Sequence, residues 1–396
     1  MNFEFKVLLI ELKPYLGGKI LSRRCEKKVM VTGAAGQVGM YAVEFLARSH
    51  GVDKIIAVDI REDFGITVVN NALTGAAMHG FYPKIEFIKL DLRDEEETAR
   101  VLSEVEPTVI LNTSTLLSSF FYVPLIKKRI GKLGLRSHLA GHTLAKDIAL
   151  IYKLMKAIKK SRIETRVVNI AFPDNSHAVL AKVGLAPDVG AGTLDLNAYY
   201  ISKLVSDKLK IPMHNVWVTM VAHHAMRVYP AGEIPYYLNI RVGDRDVTKD
   251  FNLNELIEES NKATLYGIKN NASMVAASAV KNTLAILNNT GLLTNAPGVE
   301  GLPGGVPTRL SSKGAELVIP QGLTKEEIIK MGYEGMKADG IEKIDEDGTV
   351  TFTEQAVMLL REILKIDRKR MHLDEAEKMS EELIESYNRL AKEEIK

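Results

Sequence analysis

Three glycines at positions 33, 36 and 39, set between an apolar β-branched run and a helical pattern, constrain this chain more than any other feature. Lys28–Thr32 reads as a strand and Met40–Ala47 as a helix. At this spacing Gly33 makes the sharp turn off the strand and Gly36 lets the backbone approach a pyrophosphate. Gly39 then allows the helix to pack closely on the strand. The phosphates would meet the free N–H groups of the helix N-terminus, at Gln37, Val38 and Gly39. A second strand, Lys54–Asp59, ends in a carboxylate twenty residues after Gly39, where a ribose diol is bonded, with Ile60 beside it. The expectation is a dinucleotide site. Asp59 favours NAD, because a carboxylate there repels the 2′-phosphate of NADP, while Arg61 keeps NADP open.

The following segments repeat the alternation. Ile85–Asp91 reads as a third strand, Asp94–Val105 as a charged amphipathic helix and Val109–Thr113 as a fourth strand. Strands alternating with helices predict an α/β chain with a Rossmann-type, doubly wound parallel sheet, its ligand beyond the strand ends where Gly33, Asp59, Asp91 and Thr113 gather. The long segment 114–136 contains Lys127, Lys128, Arg129, Lys132 and Arg136 without an acid among them. It reads either as a lid whose cations, Arg136 included, meet an anionic substrate, or as a solvated basic helix face. His138–Lys159 reads as a helix and Thr165–Ile170 as a further strand, ended by Phe172-Pro-Asp-Asn175. The cofactor domain is thus expected over 27–175, after an N-terminal extension of 1–26.

Beyond it, 176–353 reads as a second, α+β domain. Thr193-Leu-Asp195 opens a helix to about Lys210, and Asn215–Val221 makes a strand ending in Ala222-His-His-Ala225. Fifteen helical residues travel about 22 Å and the strand returns roughly 25 Å. An antiparallel arrangement would bring Asp195 and His224 together, a carboxylate orienting an imidazole that exchanges the proton of an alcohol or ketone. Asp347-Gly348 signals a hairpin within 340–353, and two charged amphipathic helices fill 354–396.

Composition narrows the partners. Across 396 residues the net charge is only +2, and no apolar run reaches membrane-spanning length, so neither nucleic acid nor membrane is indicated. Cys25 is the single cysteine, which excludes an internal disulfide and a thiolate metal cage. A start without a cationic, apolar leader points to the cytoplasm.

Several motifs together resemble the lactate/malate dehydrogenase superfamily. Val31-Thr-Gly-Ala-Ala-Gly-Gln-Val-Gly39 resembles its fingerprint, and Gly192-Thr-Leu-Asp195 followed by Leu209-Lys-Ile-Pro212 and Ala222-His-His-Ala225 matches its catalytic segments in order. Asn271–Ala279 is similar to its substrate-side helix, and Gly305-Val-Pro307 through Leu323–Glu327 to its late hairpin and closing helix. The resemblance implies His224 as proton donor and acceptor, Asp195 as its orienting partner, a small-molecule substrate and a homo-oligomer. The departures matter. The family's substrate-clamping arginine, three residues after the Asp, is Ala198 here; the acid before the histidine is His223, a candidate substrate contact. Its usual Asn-Pro appears as Phe172-Pro173, leaving Asn169 or Asn175 as substitutes. An ordinary 2-hydroxy acid is not the expected substrate, and Pro297–Pro307 adds a rigid loop able to shape another pocket.

A rival resemblance runs to the extended short-chain dehydrogenases, which include sugar epimerases. They share the glycine spacing, Asp91-Leu-Arg-Asp94 is similar to their adenine-side segment, and Tyr199-Tyr-Ile-Ser-Lys203 matches their catalytic Tyr-x-x-x-Lys. In that reading Lys203 lowers the pKa of the Tyr199 phenol and the substrate is a nucleotide sugar. A third reading is a non-catalytic NAD-binding protein. NAD-dependent glycosidases, which need a Cys/His-held metal, are disfavoured because Cys25 falls too early, so no metal site is expected.

Overall fold

The computed structural model describes residues 26–135, 139–266 and 271–395. The N-terminal extension up to Cys25, and the substrate candidate Arg136, lie outside them.

The first half alternates as expected. It runs β1 (Lys28–Thr32), α1 (Gln37–Ala47), β2 (Lys54–Asp59), α2 (Glu62–Met78), β3 (Lys84–Lys89), α3 (Glu95–Val105) and β4 (Val109–Asn112). It continues with α4 (Ser119–Ile130), α5 (Leu144–Ser161), β5 (Arg166–Asn169), α6 (Pro173–Lys182) and β6 (Val189–Gly190). The six strands pair in parallel in the order β3-β2-β1-β4-β5-β6. Chain direction reverses across the sheet between β1 and β4, which is where a doubly wound sheet opens its ligand crevice. Val29, Val31, Ile55 and Ile56 are fully buried because helices cover both faces, so the strands read as continuous apolar runs.

Antiparallel structure follows. The elements are α7 (Asp195–Leu209), β7 (Val216–Val221), β8 (Tyr237–Val242), β9 (Arg245–Asp246), α8 (Leu253–Tyr266), α9 (Ala272–Leu287), β10 (Leu292–Pro297), β11 (Gly305–Ser311) and β12 (Gly314–Leu317). The chain closes with α10 (Lys325–Ala338), β13 (Ile341–Ile344), β14 (Val350–Phe352), α11 (Glu354–Leu359), β15 (Arg370–Met371) and α12 (Ala376–Ile395). Three three-stranded sheets result, β7-β8-β9, β10-β11-β12 and β13-β14-β15. The first two are tied by a bridge between Ala222 and Gly305. Among the described residues no helix is long and apolar enough to cross a membrane.

Two expectations change. The parallel sheet extends past residue 175 to Gly190, because α6 is a crossover helix feeding β6. Its Pro173 sits at the first helical turn, where a missing N–H costs nothing. The basic stretch after β4 is a docked helix rather than a lid: α4 buries Tyr122, Leu125, Ile126 and Ile130, while Lys128 and Arg129 pair with Glu394 of α12. Those two cations therefore face a helix of their own chain. The last helix, α12, packs on the body of the chain. Its buried stripe Met379, Leu383, Tyr387 and Leu390 belongs to the same apolar cluster as Ile148, Ile151 and Leu154 of α5.

Leu383 is completely buried in that cluster. Leu383→Ala is expected to lower the stability of the whole chain by about 2–5 kcal/mol in urea unfolding. A single unshifted transition would show instead that α12 is an appendage.

Candidate active site

The glycine turn is built as the spacing requires. Gly33 adopts φ +72°, and a Cβ there would lie 2.8 Å from the Ser114 backbone on the neighbouring strand end. A Cβ on Gly39 would stand 2.2 Å from the Gly33 carbonyl oxygen, so only glycine lets α1 sit this close to β1. Gly36 differs: its Cβ position meets only the Gly33 carbonyl, at 3.1 Å, and is otherwise open. It is also the N-cap of α1, with no side chain capping the helix and no acid in the first turn. The uncapped N–H groups of Gln37, Val38 and Gly39 thus form a site suited to an anion.

The neighbouring side chains brace this turn. Asp59 is buried at the end of β2; Oδ2 accepts the Ala35 N–H at 3.0 Å, and Oδ1 accepts the backbone N–H and Nε–H of Arg61 at 3.0 and 3.2 Å. A carboxylate offers about four acceptor sites, so a ribose hydroxyl can still be taken. The Thr113 hydroxyl donates to the carbonyls of Thr32 and Gly33, pinning the turn rather than facing a ligand. Asp91 is held by the Arg93 guanidinium, which keeps its carboxyl below the usual range against the opposing effect of burial. Ile60 is more than half exposed beside Asp59.

From the turn a buried polar ladder crosses the strand ends. The Thr32 hydroxyl donates to Asn112 Oδ1 at 2.7 Å, and Asn112 Nδ2 donates to Asn169 Oδ1 at 2.8 Å. Asn169 Nδ2 reaches His177 Nε2 at 3.2 Å, while His177 Nδ1 donates to the Gly298 carbonyl at 2.9 Å. Burial pushes His177 down to about 4, so it is neutral. Asn169, one of the two expected substitutes, is thus a strand-end strut. The Pro297–Pro307 loop packs on this ladder: a Cβ on Gly298 would lie 2.3 Å from the His177 ring.

His224 stands at the end of this network but not beside Asp195. Its Nδ1 is 3.1 Å from Asp339 Oδ2, and its backbone N–H donates to Asp174 Oδ1 at 3.0 Å. The Phe172 ring lies edge-on to the imidazole, centroids 5.6 Å apart. Burial depresses the His224 pKa, yet the Asp339 carboxylate, aided by Asp174, more than offsets it and leaves the pKa raised. Asp339 is fully buried at the end of α10 and also accepts from the Ala140 N–H and Asn175 Nδ2.

Asp195 faces the other way. The chain leaves β6 through Gly192 and Leu194, both at positive φ, and this turn aims Asp195 at α9. There it accepts from Ser278 Oγ and from Lys281 Nζ at 2.6 Å, with Thr294 at 3.2 Å. The expected Asp195–His224 pair is therefore replaced by Asp339–His224. His223, expected to contact the substrate, is bonded within the protein. It is buried, Nε2 donates to Asn175 Oδ1 and Nδ1 accepts the Ala225 N–H, so both ring nitrogens are used and burial holds it neutral.

The Tyr199 and Lys203 pair is also not assembled. Lys203 is exposed and bonded to Asp207, one turn further on. Tyr199 instead lies over Lys281, 5.0 Å from the ring centroid, and burial together with Asp195 raises its phenol pKa, opposite to the shift a tyrosine base needs. Asp174, Arg227 and Asp339 were not anticipated. Only the Phe172-Pro-Asp-Asn175 segment signalled any of them, as an irregular strand end. Among the described residues no cluster suited to a metal occurs.

Similarity to known proteins follows the same division. A family model described as GDP-mannose 4,6 dehydratase matches residues 30–116, which span the glycine turn to the end of β4 and stop short of Tyr199. Curated protein sequences yield no match. Among solved structures, a lactate dehydrogenase from a Medee basin deep-sea metagenome superposes with TM-score 0.57 at 17% identity, over 79% of this chain and 96% of its own. Malate dehydrogenase from Plasmodium falciparum in complex with NADH gives 0.55 at 15%, again over 79% and 96%. Lactate dehydrogenase from Cryptosporidium parvum, complexed with lactic acid and nicotinamide adenine dinucleotide, gives 0.56 at 19% over the same shares.

Asp339→Asn should lower the His224 pKa, because burial then acts with less opposition, and an imidazole NMR titration should show it. In the native chain a folded pKa above 6.5 means that protonated His224 adds stability below that pH, a contribution that fades as pH rises through the folded pKa. An unmoved titration in the variant would mean that Asp339 does not set the charge of His224. At these identities the likeness is one of fold, and the chain has the fold of the lactate and malate dehydrogenases.

Proposed function

We propose that the protein is an NAD-dependent oxidoreductase acting on a hydroxyl or carbonyl carbon, with His224 as the proton donor and acceptor. The observation that carries this reading is the shared edge: the ladder from Thr32 through Asn112 and Asn169 links the glycine turn to α6, and Asp174 of α6 holds the His224 backbone. The uncapped N-terminus of α1 and the open side of Gly36 would take the pyrophosphate, and Asp59 the ribose. NAD, when bound, supplies the hydride acceptor or donor.

The chain's own part is proton handling. In oxidation the substrate O–H proton passes to the His224 imidazole, whose Nδ1 is bonded to Asp339, and in reduction it is returned. The buried Asp339 carboxylate fixes the tautomer and stabilises the imidazolium formed on the way. The Phe172 ring packed edge-on against the imidazole shields it in part from water, which strengthens that pairing. Arg61, already bound to Asp59, offers less to a 2′-phosphate than a free cation would, in keeping with NAD over NADP. A tyrosine-based mechanism gains nothing from the positions of Tyr199 and Lys203.

The test is direct. Calorimetry should show NADH binding to the native chain, weakened by Gly36→Val because the side chain would fill the open space beside the Gly36 backbone. With a substrate found by an NAD-linked screen of hydroxy and oxo compounds, His224→Gln should cost roughly 10²–10⁴ in kcat while leaving NADH affinity nearly intact. Unchanged turnover would remove His224 from the mechanism.

A further inference from the structure

The turn that presents His224, residues His224–Arg227, ends in an arginine with nothing to hold. Arg227 makes no hydrogen bond or ion pair among the described residues, and its Nε is wholly shielded from solvent. Asp174, itself only 1% exposed, is near enough to act on it electrostatically. Asp174 Oδ1 accepts the His224 N–H, but Oδ2 is equally shielded and has no partner. The two charges act on each other electrostatically without bonding. Arg227 is partly exposed, but charged atoms shielded from solvent and left unpartnered are costly, and one of each sign near a single imidazole calls for an explanation.

Both deficits are met by a ligand that carries both charges. We propose that the substrate is an amphoteric small molecule of the hydroxy- or oxo-amino-acid class, its carboxylate on Arg227 and its ammonium on Asp174 Oδ2. The reacting carbon then lies beside His224. This rests on His224 being the proton-exchanging group. Arg227 presents the planar fork that a carboxylate takes in two bonds, a function that buried Ala198 on α7 cannot serve. A second anionic group on the substrate would meet Asp174 and be rejected; a substrate without an ammonium would leave Oδ2 unpaired. The acid thus selects as strongly as the base does.

The test is binding, read by calorimetry on the full chain saturated with NADH. The probes are L-serine, L-homoserine, 4-hydroxy-L-glutamate and their 2-oxo and 2-hydroxy counterparts that lack the ammonium, with L-malate as a dianion. At least one amino-bearing probe should bind roughly 10- to 100-fold more tightly than its ammonium-free counterpart. Asp174→Asn, which keeps the Oδ1 acceptor for the His224 N–H, should abolish that preference while sparing carboxylate binding. Arg227→Gln should weaken every carboxylate probe, and Arg227→Lys should restore part of the loss; thermal melting checks that each variant is folded. Tightest binding by an ammonium-free acid or by malate, no binding by any probe, or a preference indifferent to Asp174→Asn would overturn the proposal. Failure of NADH itself to bind would instead overturn the oxidoreductase reading, so the two outcomes are distinguishable.

Discussion

The arrangement of this molecule turns on one buried carboxylate. Asp339, at the end of α10, has no solvent exposure, and its side chain accepts from Ala140, Asn175 and His224. Its backbone carbonyl accepts the Gly141 N–H as well. A charge so placed must be satisfied by the surrounding protein, and each donor comes from a different part of the chain. The segment before α5, the first turn of α6, the loop after β7 and the end of α10 are thereby held at one point. Removing any donor would loosen the others, so the site and the junction of the two halves of the fold are one structure.

Two sets of groups meet there for different reasons. The glycine turn is fixed by sterics, since Cβ atoms on Gly33 and Gly39 would strike backbone. The His224 side is fixed by polar satisfaction, through a ladder of Thr32, Asn112, Asn169 and His177 with no charged member. A neutral ladder transmits position without adding charge near the imidazole, whose proton affinity is set by burial and Arg227, which lower it, against Asp339 and Asp174, which raise it further. The tail contributes from behind: α12 covers α5, and Tyr387 meets His142 in the turn that follows Leu139–Ala140.

The fold was legible where sequence periodicity and sterics decide it. The glycine turn, the parallel strands, the hairpin of β13 and β14 and the apolar stripe of α12 all follow from local pattern. The α6 helix was hidden because its buried first turn is polar: Asp174, Asn175, Ser176 and His177 are all buried, which defeats a reading based on apolar spacing. The histidine was legible as a candidate but its partner was not. Spacing suggested Asp195, 29 residues away, whereas the actual carboxylate lies 115 residues downstream, and no local pattern ties position 339 to 224. Lys128 and Arg129 misled for the same reason, since their acids sit on α12. Long-range polar pairing is where a sequence read segment by segment runs out.

A crystal structure of the chain with NADH bound tests the account most directly. The account predicts nicotinamide C4 facing His224, with the pyrophosphate at the N-terminus of α1 and His224 Nδ1 still on Asp339. A nicotinamide ring lying instead against Tyr199 and Lys281, or a dinucleotide bound away from the Gly33–Gly39 turn, would contradict it.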